Sequence, residues 1–338
     1  MNNKEISLLI KEKEKRNKLK GYEDDFSSFA REQIKIITKD TSIGFIPFKF
    51  NECQERITEA LDKQYKDTGR VRAIILKARQ QGISTYCAGR VFWKSYFSPH
   101  SRSVVMAHDS ATSDALFSMS KNLIRNMEGD LVPNEITSNA KEIKINSPAY
   151  KDRDAVGSYR LYTAGSPEAG RGTTPTIAHL SEIAFWTHDE KILAGLFQGI
   201  SQASGTEVIL ESTANGAQGE FYRLWKGAVD GENEYLPIFL PWFITPEYRR
   251  TAPEGMELTI EEETLVDNYE LDADQLYWRR LKIAEGGKLK FQQEYPATAD
   301  EAFIVSGANV FDIEKLNSLI PRPEQRRSDW DPSSKMFD

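Results

Sequence analysis

Short apolar runs alternate with longer segments of helical periodicity through the middle of the chain. Apolar runs predict β-strands at 71–76, 103–107, 142–145, 159–163, 176–180, 207–211 and 236–240. Apolar residues that recur at helical spacing predict helices at 84–97, 111–127, 190–199 and 220–229. Several runs are apolar throughout, as in strands that are buried on both faces of a parallel sheet. The pattern therefore predicts an α/β fold with a mainly parallel central sheet flanked by helices.

The two ends of the chain differ from this core, which spans 46–240. Residues 1–45 are charge-rich and predict a helical arm, whose basic run at 11–20 we expect on a solvated face. Residues 241–306 are acidic with apolar positions at helical spacing, which predicts a small helical lid or linker subdomain. Residues 307–338 contain Pro, Arg and Ser, and we interpret them as a linker toward an absent domain.

Composition narrows the class of protein. The 338 residues include 44 basic and 51 acidic ones, for a net charge of -7, so any contact with nucleic acid needs a local basic patch. Cys53 and Cys87 lack the spacing of a metal site and indicate an intracellular, reduced setting. No run approaches the roughly 20 apolar residues of a membrane helix, and the N-terminus lacks a signal-type segment. We expect a soluble intracellular protein without membrane contact.

The first predicted strand runs directly into Lys77-Ala-Arg-Gln-Gln-Gly-Ile-Ser-Thr85. A strand, a Gly-containing loop and then a helix is the layout of a phosphate-binding P-loop. The usual spacing G-x-x-x-x-G-K-[ST] aligns Gly82 and Ser84, but puts Ile83 in place of the lysine and Lys77 in place of the first glycine. A lysine at this end could reach the same phosphates, although an ordinary loop remains an alternative. The candidate ATP-binding residues are Lys77, Ala78, Arg79, Gln80, Gln81, Gly82, Ile83, Ser84 and Thr85.

A P-loop requires a second apolar strand that ends in carboxylates, and the run at 176–180 continues into Ser181 and Glu182. In the usual form of this second strand, an Asp belongs to the coordination shell of the magnesium ion and the following Glu polarises the attacking water. Glu182 occupies the catalytic position. Because Ser181 replaces the Asp, we expect Mg²⁺ to be held by Ser84, with Ser181 as a weaker neutral ligand. The alternative is that Glu182 merely ends a strand.

Three further positions are candidates for nucleotide chemistry. The amide of Gln54, which lies 23 positions before Lys77 in a predicted helix entry, could read both the donor and the acceptor edge of adenine, although a lone Gln is usually an ordinary surface residue. Arg171, flanked by glycines, could extend as an arginine finger into a neighbour's phosphate site, or could be incidental to a glycine-rich turn. The loop after 207–211 carries Ser212, Thr213 and Asn215, which could sense the γ-phosphate.

The ordered set of motifs resembles the large terminase subunit of tailed bacteriophages. The resemblance covers about residues 45–310 and rests on Gln54, the loop 77–85, Arg171, Leu180-Ser-Glu182, Glu211-Ser-Thr-Ala-Asn215, Phe291-Gln-Gln-Glu-Tyr-Pro296 and Asp300-Glu-Ala-Phe303. It implies an ASCE-type P-loop NTPase fold with a helical lid, and ATP and Mg²⁺ as cofactors. By position it implies that Lys77 and Arg79 contact the phosphates, that Ser84 ligates magnesium and that Glu182 activates water. It also implies that Arg171 acts on the ATP of an adjacent subunit. The residues Ser212 to Asn215 would couple hydrolysis to DNA movement.

The resemblance also implies partners and a place of action. These are double-stranded DNA, a portal protein and a small terminase subunit, with the chain forming a homo-oligomeric ring on a procapsid portal in the host cytoplasm, or a monomer in solution before assembly. Family members carry a C-terminal nuclease domain, almost none of which is present, so we expect translocation without cutting. Two alternatives remain: another P-loop nucleic-acid ATPase such as a helicase, and an assembly scaffold that holds nucleotide without turnover.

Overall fold

One sheet of mainly parallel strands organises the chain in the computed structural model, which describes residues 3–38, 42–152 and 154–304. The strands are β1 (Lys35–Ile37), β2 (Phe45–Pro47), β3 (Val71–Lys77), β4 (Arg102–Ala107), β5 (Asn134–Ser138), β6 (Glu142–Asn146), β7 (Gly157–Thr163), β8 (Ile177–Ser181), β9 (Glu207–Ser212) and β10 (Leu236–Leu240). The helices are α1 (Asn3–Asp24), α2 (Phe26–Gln33), α3 (Glu52–Thr68), α4 (Ile83–Phe97), α5 (Ser110–Arg125), α6 (Asp189–Gly199), α7 (Gly219–Val229), α8 (Ile260–Tyr269), α9 (Ala273–Gly286), α10 (Lys288–Glu294) and α11 (Ala299–Ile304).

The large sheet has eight strands in the order β10-β3-β9-β8-β4-β7-β6-β5. Strands β10 through β7 pair in parallel, and β6 and β5 close one edge in antiparallel fashion. The predicted mainly parallel α/β sheet is therefore confirmed. Strand β5 and the hairpin of β1 and β2 were not predicted, because they are short and none of their residues is fully buried.

Strand β3, which leads into the predicted P-loop, is buried along its whole length between two apolar layers. Ala73 and Ile75 face the core on the α4 side, whereas Ile74 and Leu76 face the core that includes residues of α6 and α7. Successive side chains of a strand point to opposite faces, so this continuous apolar run supplies both layers at once. The carboxyl end of β3 is thereby held at a defined position in the sheet.

The predicted N-terminal arm divides into two parts. Helix α1 is exposed except near Tyr22, and its basic run at 11–20 lies mostly on the surface as expected. Helix α2 instead belongs to the core, because Phe26 and Phe29 are buried and Phe26 stacks on Trp93 of α4 with ring centroids 5.2 Å apart. Burial of these aromatic rings contributes on the order of a few kcal/mol each.

The region predicted as a lid is helical. Helices α9 and α10 close around Trp242, Trp278 and Phe291, and this cluster also contains Ala78 of the P-loop. The short helix α11 packs elsewhere, with Phe303 against the rings of α7. The boundaries of the four predicted units stay a prediction, and the predicted linker at 307–338 lies outside the described residues. Within the described ranges no helix is both long and apolar enough to cross a membrane.

Helix α4 is tied to β9 by a buried ionic cluster. Both carboxylate oxygens of Glu207 accept hydrogen bonds from Arg90, at 2.8 and 3.2 Å, and Lys94 Nζ lies 2.9 Å from Oε1. Arg90 and Glu207 are each about 1% exposed. Burial raises the pKa of the Glu207 carboxyl, but the charges of Arg90 and Lys94 outweigh it and hold the pKa below its ordinary value. The cluster fixes α4 over the sheet.

Glu207→Gln should destabilise the fold by about 3–5 kcal/mol, because it removes the carboxylate that pairs with the buried Arg90 and with Lys94. Urea denaturation monitored by Trp fluorescence measures this loss. Asp67→Asn is the control, since it breaks the solvated Lys63–Asp67 pair and should leave the midpoint unchanged. An equal effect of the two substitutions would contradict a structural role for the buried cluster.

Candidate active site

The loop between β3 and α4 is a tight turn over the end of the sheet. Gln80 and Gly82 have positive φ angles of 59° and 77°, and a Cβ on Gly82 would lie 2.9 Å from Nε2 of Gln54. Glycine is therefore favoured at 82 by its backbone conformation, and a Cβ there would also displace the amide of Gln54. Gly82 is also the N-cap of the 15-residue helix α4 and offers no side-chain cap. The N–H groups of the first helical turn are thus available to an anion.

Two amide side chains brace this loop from inside the protein. Gln81 accepts a hydrogen bond from Ala78 N at 3.0 Å and donates to Pro241 O at 2.9 Å and Thr245 Oγ1 at 3.1 Å. Gln54 donates to Gly82 O at 2.9 Å, and its Oε1 accepts from the backbone of Asn51 in a helix-capping box. Both ends of the Gln54 amide are engaged within the chain, so the predicted adenine contact stays a prediction that requires their release.

The lid region also holds the loop. Arg79 N donates to Glu294 O at 2.9 Å, and the hydroxyl of Tyr248 donates to Arg79 O. The Arg79 guanidinium lies 3.5 Å from Glu294 Oε2 and is 57% exposed. Tyr248 in turn stacks on Trp278 with ring centroids 4.5 Å apart. The backbone of residue 79 is therefore bonded on both sides by the lid, which couples loop geometry to lid position.

Lys77 lies at the centre of the candidate site. Its Nζ is 2.9 Å from Glu182 Oε1 and 3.2 Å from Glu211 Oε2, and the side chain is 7% exposed. Burial lowers the pKa of Lys77, but the two carboxylates outweigh this effect and hold the pKa above its ordinary value. The lysine is therefore charged and forms a bridge between the ends of β8 and β9.

Glu182 occupies a left-handed backbone conformation, with φ 55° and ψ 43°, directly after β8. Such a conformation is uncommon for a residue with a side chain and is found more often at functional sites. Its N–H donates to Glu211 O at 2.7 Å, and its side chain remains 23% exposed. Glu182 is thus the more accessible of the two carboxylates on Lys77.

Glu211 belongs to a motif that carried the resemblance, but the sequence analysis gave it no role. Its side chain is fully buried; Oε1 accepts a hydrogen bond from Ser84 Oγ at 3.1 Å and lies 3.2 Å from His179 Nε2. Burial raises the pKa of this carboxyl, but Lys77 together with His179 and Ser181 outweighs it and holds the pKa well below its ordinary value. A signal existed in the sequence, because an acidic residue within an apolar strand must be paired to be buried.

The predicted coupling residues contact the segment that follows Glu182. Ser212 Oγ accepts from Ala184 N at 3.2 Å and lies 3.5 Å from Glu182 Oε2. Asn215 donates to Ala184 O at 3.0 Å, and Thr213 is buried. The adjacent Ala214 O accepts from Gln293 of α10 at 3.0 Å. The loop after β9 therefore touches the catalytic candidate on one side and the lid on the other.

Arg171 lies apart from this cluster, in the loop between β7 and β8. Its side chain is 69% exposed and pairs with Glu168 at 2.7 Å. Of the contacts described for Arg171, none reaches the loop 77–85. A role of Arg171 within its own chain has no support from these contacts, and its predicted action on an adjacent subunit stays a prediction.

The donor set fits a magnesium ion that arrives with phosphates. Lys77 carries one positive charge against the two carboxylates of Glu182 and Glu211, and the buried Glu211 Oε2 makes no aligned hydrogen bond. Within the described ranges there is no group of three acidic, His or Cys residues of the kind that holds a metal by itself. Mg²⁺ commonly takes one or two protein ligands and completes its shell with substrate phosphates and water, and ligation by Ser84 stays a prediction.

Comparison with solved structures identifies the class of fold. The ATPase domain of the large terminase of Thermus phage P74-26 superposes with a TM-score of 0.50 at 17% identity, covering 74% of this chain and 94% of that one. The large terminase of bacteriophage HK97 superposes with a TM-score of 0.51 at 14% identity, covering 81% of this chain and 54% of that one. Comparison of the sequence with family models and with curated proteins gives no match.

These similarities confirm a P-loop NTPase fold of the ASCE type. More particularly, the chain has the fold of a large terminase ATPase domain. The identities are low, so the similarity concerns the fold, and the chain matches about half the length of the HK97 protein.

Tyr248→Phe should loosen the loop without disturbing the lid core, because it removes the hydrogen bond to Arg79 O and keeps the stacking on Trp278. We expect a stability loss of about 0.5–1.5 kcal/mol and faster hydrogen exchange of peptides that cover 78–82. Tyr222→Phe is the matched control, since its ring packs against Phe303 in the other core. Unchanged exchange at 78–82 in Tyr248→Phe would contradict the bracing role.

Proposed function

We propose that this chain is the ATP-hydrolysing motor of a phage large terminase, which moves double-stranded DNA into procapsids. The observation that carries the proposal is that Lys77 pairs with both Glu182 and Glu211 at the carboxyl ends of β3, β8 and β9, with Ser84 bonded to Glu211, within the fold of a terminase ATPase domain. Open α/β sheets bind ligands at this end of their strands.

In the proposed mechanism the residues of the loop bind the phosphates of ATP. The first-turn N–H groups of α4 and the ammonium group of Lys77 supply positive electrostatic potential. In the structure Lys77 Nζ donates a hydrogen bond to Glu182 Oε1 at 2.9 Å. A γ-phosphate that competes for Lys77 would release the Glu182 carboxylate to orient the attacking water and accept its proton. Bound Mg²⁺ would supply neutralisation of the charge on the β- and γ-phosphates.

Two further elements complete the proposed cycle. Arg171, exposed on the β7–β8 loop, would reach the ATP of an adjacent subunit in a homo-oligomeric ring, where arginine fingers are worth about 10³–10⁵ in rate. Ser212, Thr213 and Asn215 would pass the state of the site to the lid, because their loop bonds both Ala184 and Gln293. Gln54 would contact adenine after leaving Gly82 O.

The proposed setting is the procapsid portal in the host cytoplasm. The partners would be double-stranded DNA, the portal protein and a small terminase subunit. The support for this setting is the fold, which is that of the ATPase domains of large terminases. The proposal concerns translocation only and includes no cleavage of DNA.

Glu182→Gln should keep ATP binding and reduce phosphate release by about 10²–10⁴-fold, because the amide cannot accept the proton of water. Arg171→Ala should also lose turnover, and mixing the two inactive variants should restore activity in part, since an intact Glu182 can then meet an intact Arg171 from a neighbour. Lys191→Ala, in the same surface groove as Arg171, is the control. Phosphate release is measured across a wide range of protein concentration.

The results separate the alternatives. Turnover that survives in Glu182→Gln would refute the catalytic assignment. Mixed variants that stay inactive, together with activity per molecule independent of concentration, would remove Arg171 from the mechanism. Tight ATP binding by the wild type without phosphate release, at any concentration and with portal and DNA added, would favour the nucleotide-holding scaffold.

A terminase motor should move along duplex DNA without separating its strands. With portal protein present and ATP supplied, we expect displacement of a third strand from a triplex, while a forked duplex stays paired. Both are followed by strand-specific fluorescence, with Glu182→Gln as the control for dependence on hydrolysis. Separation of the forked duplex would favour a helicase.

A further inference from the structure

Two departures from the usual P-loop pattern lie on the two strands that flank β9. Lys77 stands at the end of β3 rather than in the loop, and Ser181 stands where β8 should provide an acidic residue. Strand β9 lies between these two strands, and its Glu211 is the register partner of both Ser181 and Ile75. The carboxylate that β8 lacks is therefore present one strand closer to the P-loop.

Besides His179 of β8, Glu211 contacts two residues of the candidate phosphate loop. Ser84 Oγ donates to its Oε1 at 3.1 Å, and Lys77 Nζ lies 3.2 Å from its Oε2. A hydroxyl that donates its proton to a carboxylate presents its oxygen lone pairs outward, which is the orientation that a metal ligand needs. The displaced lysine and the displaced carboxylate thus compensate each other's charge.

Glu207 provides an internal comparison. It precedes Glu211 in the same buried strand, and both of its oxygens accept hydrogen bonds from Arg90. Glu211 differs, because its buried Oε2 makes no aligned hydrogen bond and its partner Ser84 is only partly buried at the start of α4. Glu207 therefore pairs with two cations of α4, whereas Glu211 pairs with Lys77 at the end of β3 and accepts from Ser84 at the start of α4.

We propose that Glu211 replaces the acidic residue missing at position 181, as the positioning residue that holds Ser84 toward the magnesium ion of a bound nucleotide. This inference rests on the proposed nucleotide function. Strand β9 would then have two roles. Its Glu211 would position Ser84, and its end leads into Ser212 and the loop that contacts the lid.

The test transfers the carboxylate from position 211 on β9 to position 181 on β8 by substitution. Glu211→Gln should retain nucleotide binding in EDTA and lose about 10–100-fold of the affinity gain that Mg²⁺ provides, because Ser84 is no longer oriented by a carboxylate. Ser181→Asp should also be impaired, since it places a second carboxylate beside Glu211. The double variant Ser181→Asp/Glu211→Gln should regain the Mg²⁺-dependent affinity, because it returns to one carboxylate at the same place.

The measurement is the binding of a fluorescent ADP analogue, in Mg²⁺ and in EDTA, with thermal unfolding as a check of the fold. Glu207→Gln is the matched control: it should lower stability while leaving the ratio of affinities in Mg²⁺ and EDTA unchanged. A full Mg²⁺ gain in folded Glu211→Gln would overturn the inference alone. A folded double variant without the gain would also overturn it. Wild type without nucleotide affinity under either condition would overturn the proposed function as well.

Discussion

The ion pair network around Lys77 is the constraint on which the candidate site depends. A buried ammonium group loses its hydration, which costs several kcal/mol unless charged partners offset the loss. Glu182 and Glu211 provide that offset from the ends of β8 and β9. Because both carboxylates contact one lysine, the ends of three strands are tied together by charge as well as by the sheet. In the proposed mechanism Lys77 exchanges partners, because an incoming phosphate would compete with Glu182 for it.

A second constraint acts from the opposite side of the loop. The lid bonds the backbone of Arg79 through Glu294 and Tyr248, and its aromatic cluster includes Ala78. The lid also contacts Ala214 in the loop after β9. Two independent connections therefore join the lid to the site, one through the phosphate loop and one through the loop after Ser212. The predicted lid therefore contacts both loops of the candidate site.

Local patterns predicted much of the fold and part of the site. The alternation of apolar runs and helical segments predicted the parallel sheet, because a strand that is buried on both faces consists of consecutive apolar residues. The position of the P-loop and of Glu182 followed from strands that end in characteristic residues. The same reasoning assigned α2 to an arm, although Phe26 and Phe29 belong to the core. It also could not show that both ends of the Gln54 amide bond within the chain.

The sequence by itself determined the class of sheet, the strand that carries the loop and the chemical types available at the strand ends. Only the tertiary structure decided which of these groups meet. Ser84 and Glu211 are 127 positions apart, and they bond because β9 inserts between β3 and β8. Strand order depends on how helices cross over the sheet, and a local pattern carries no record of it. A missing Asp at position 181 is therefore visible in the sequence, whereas the nearby carboxylate of Glu211 is visible only in the fold.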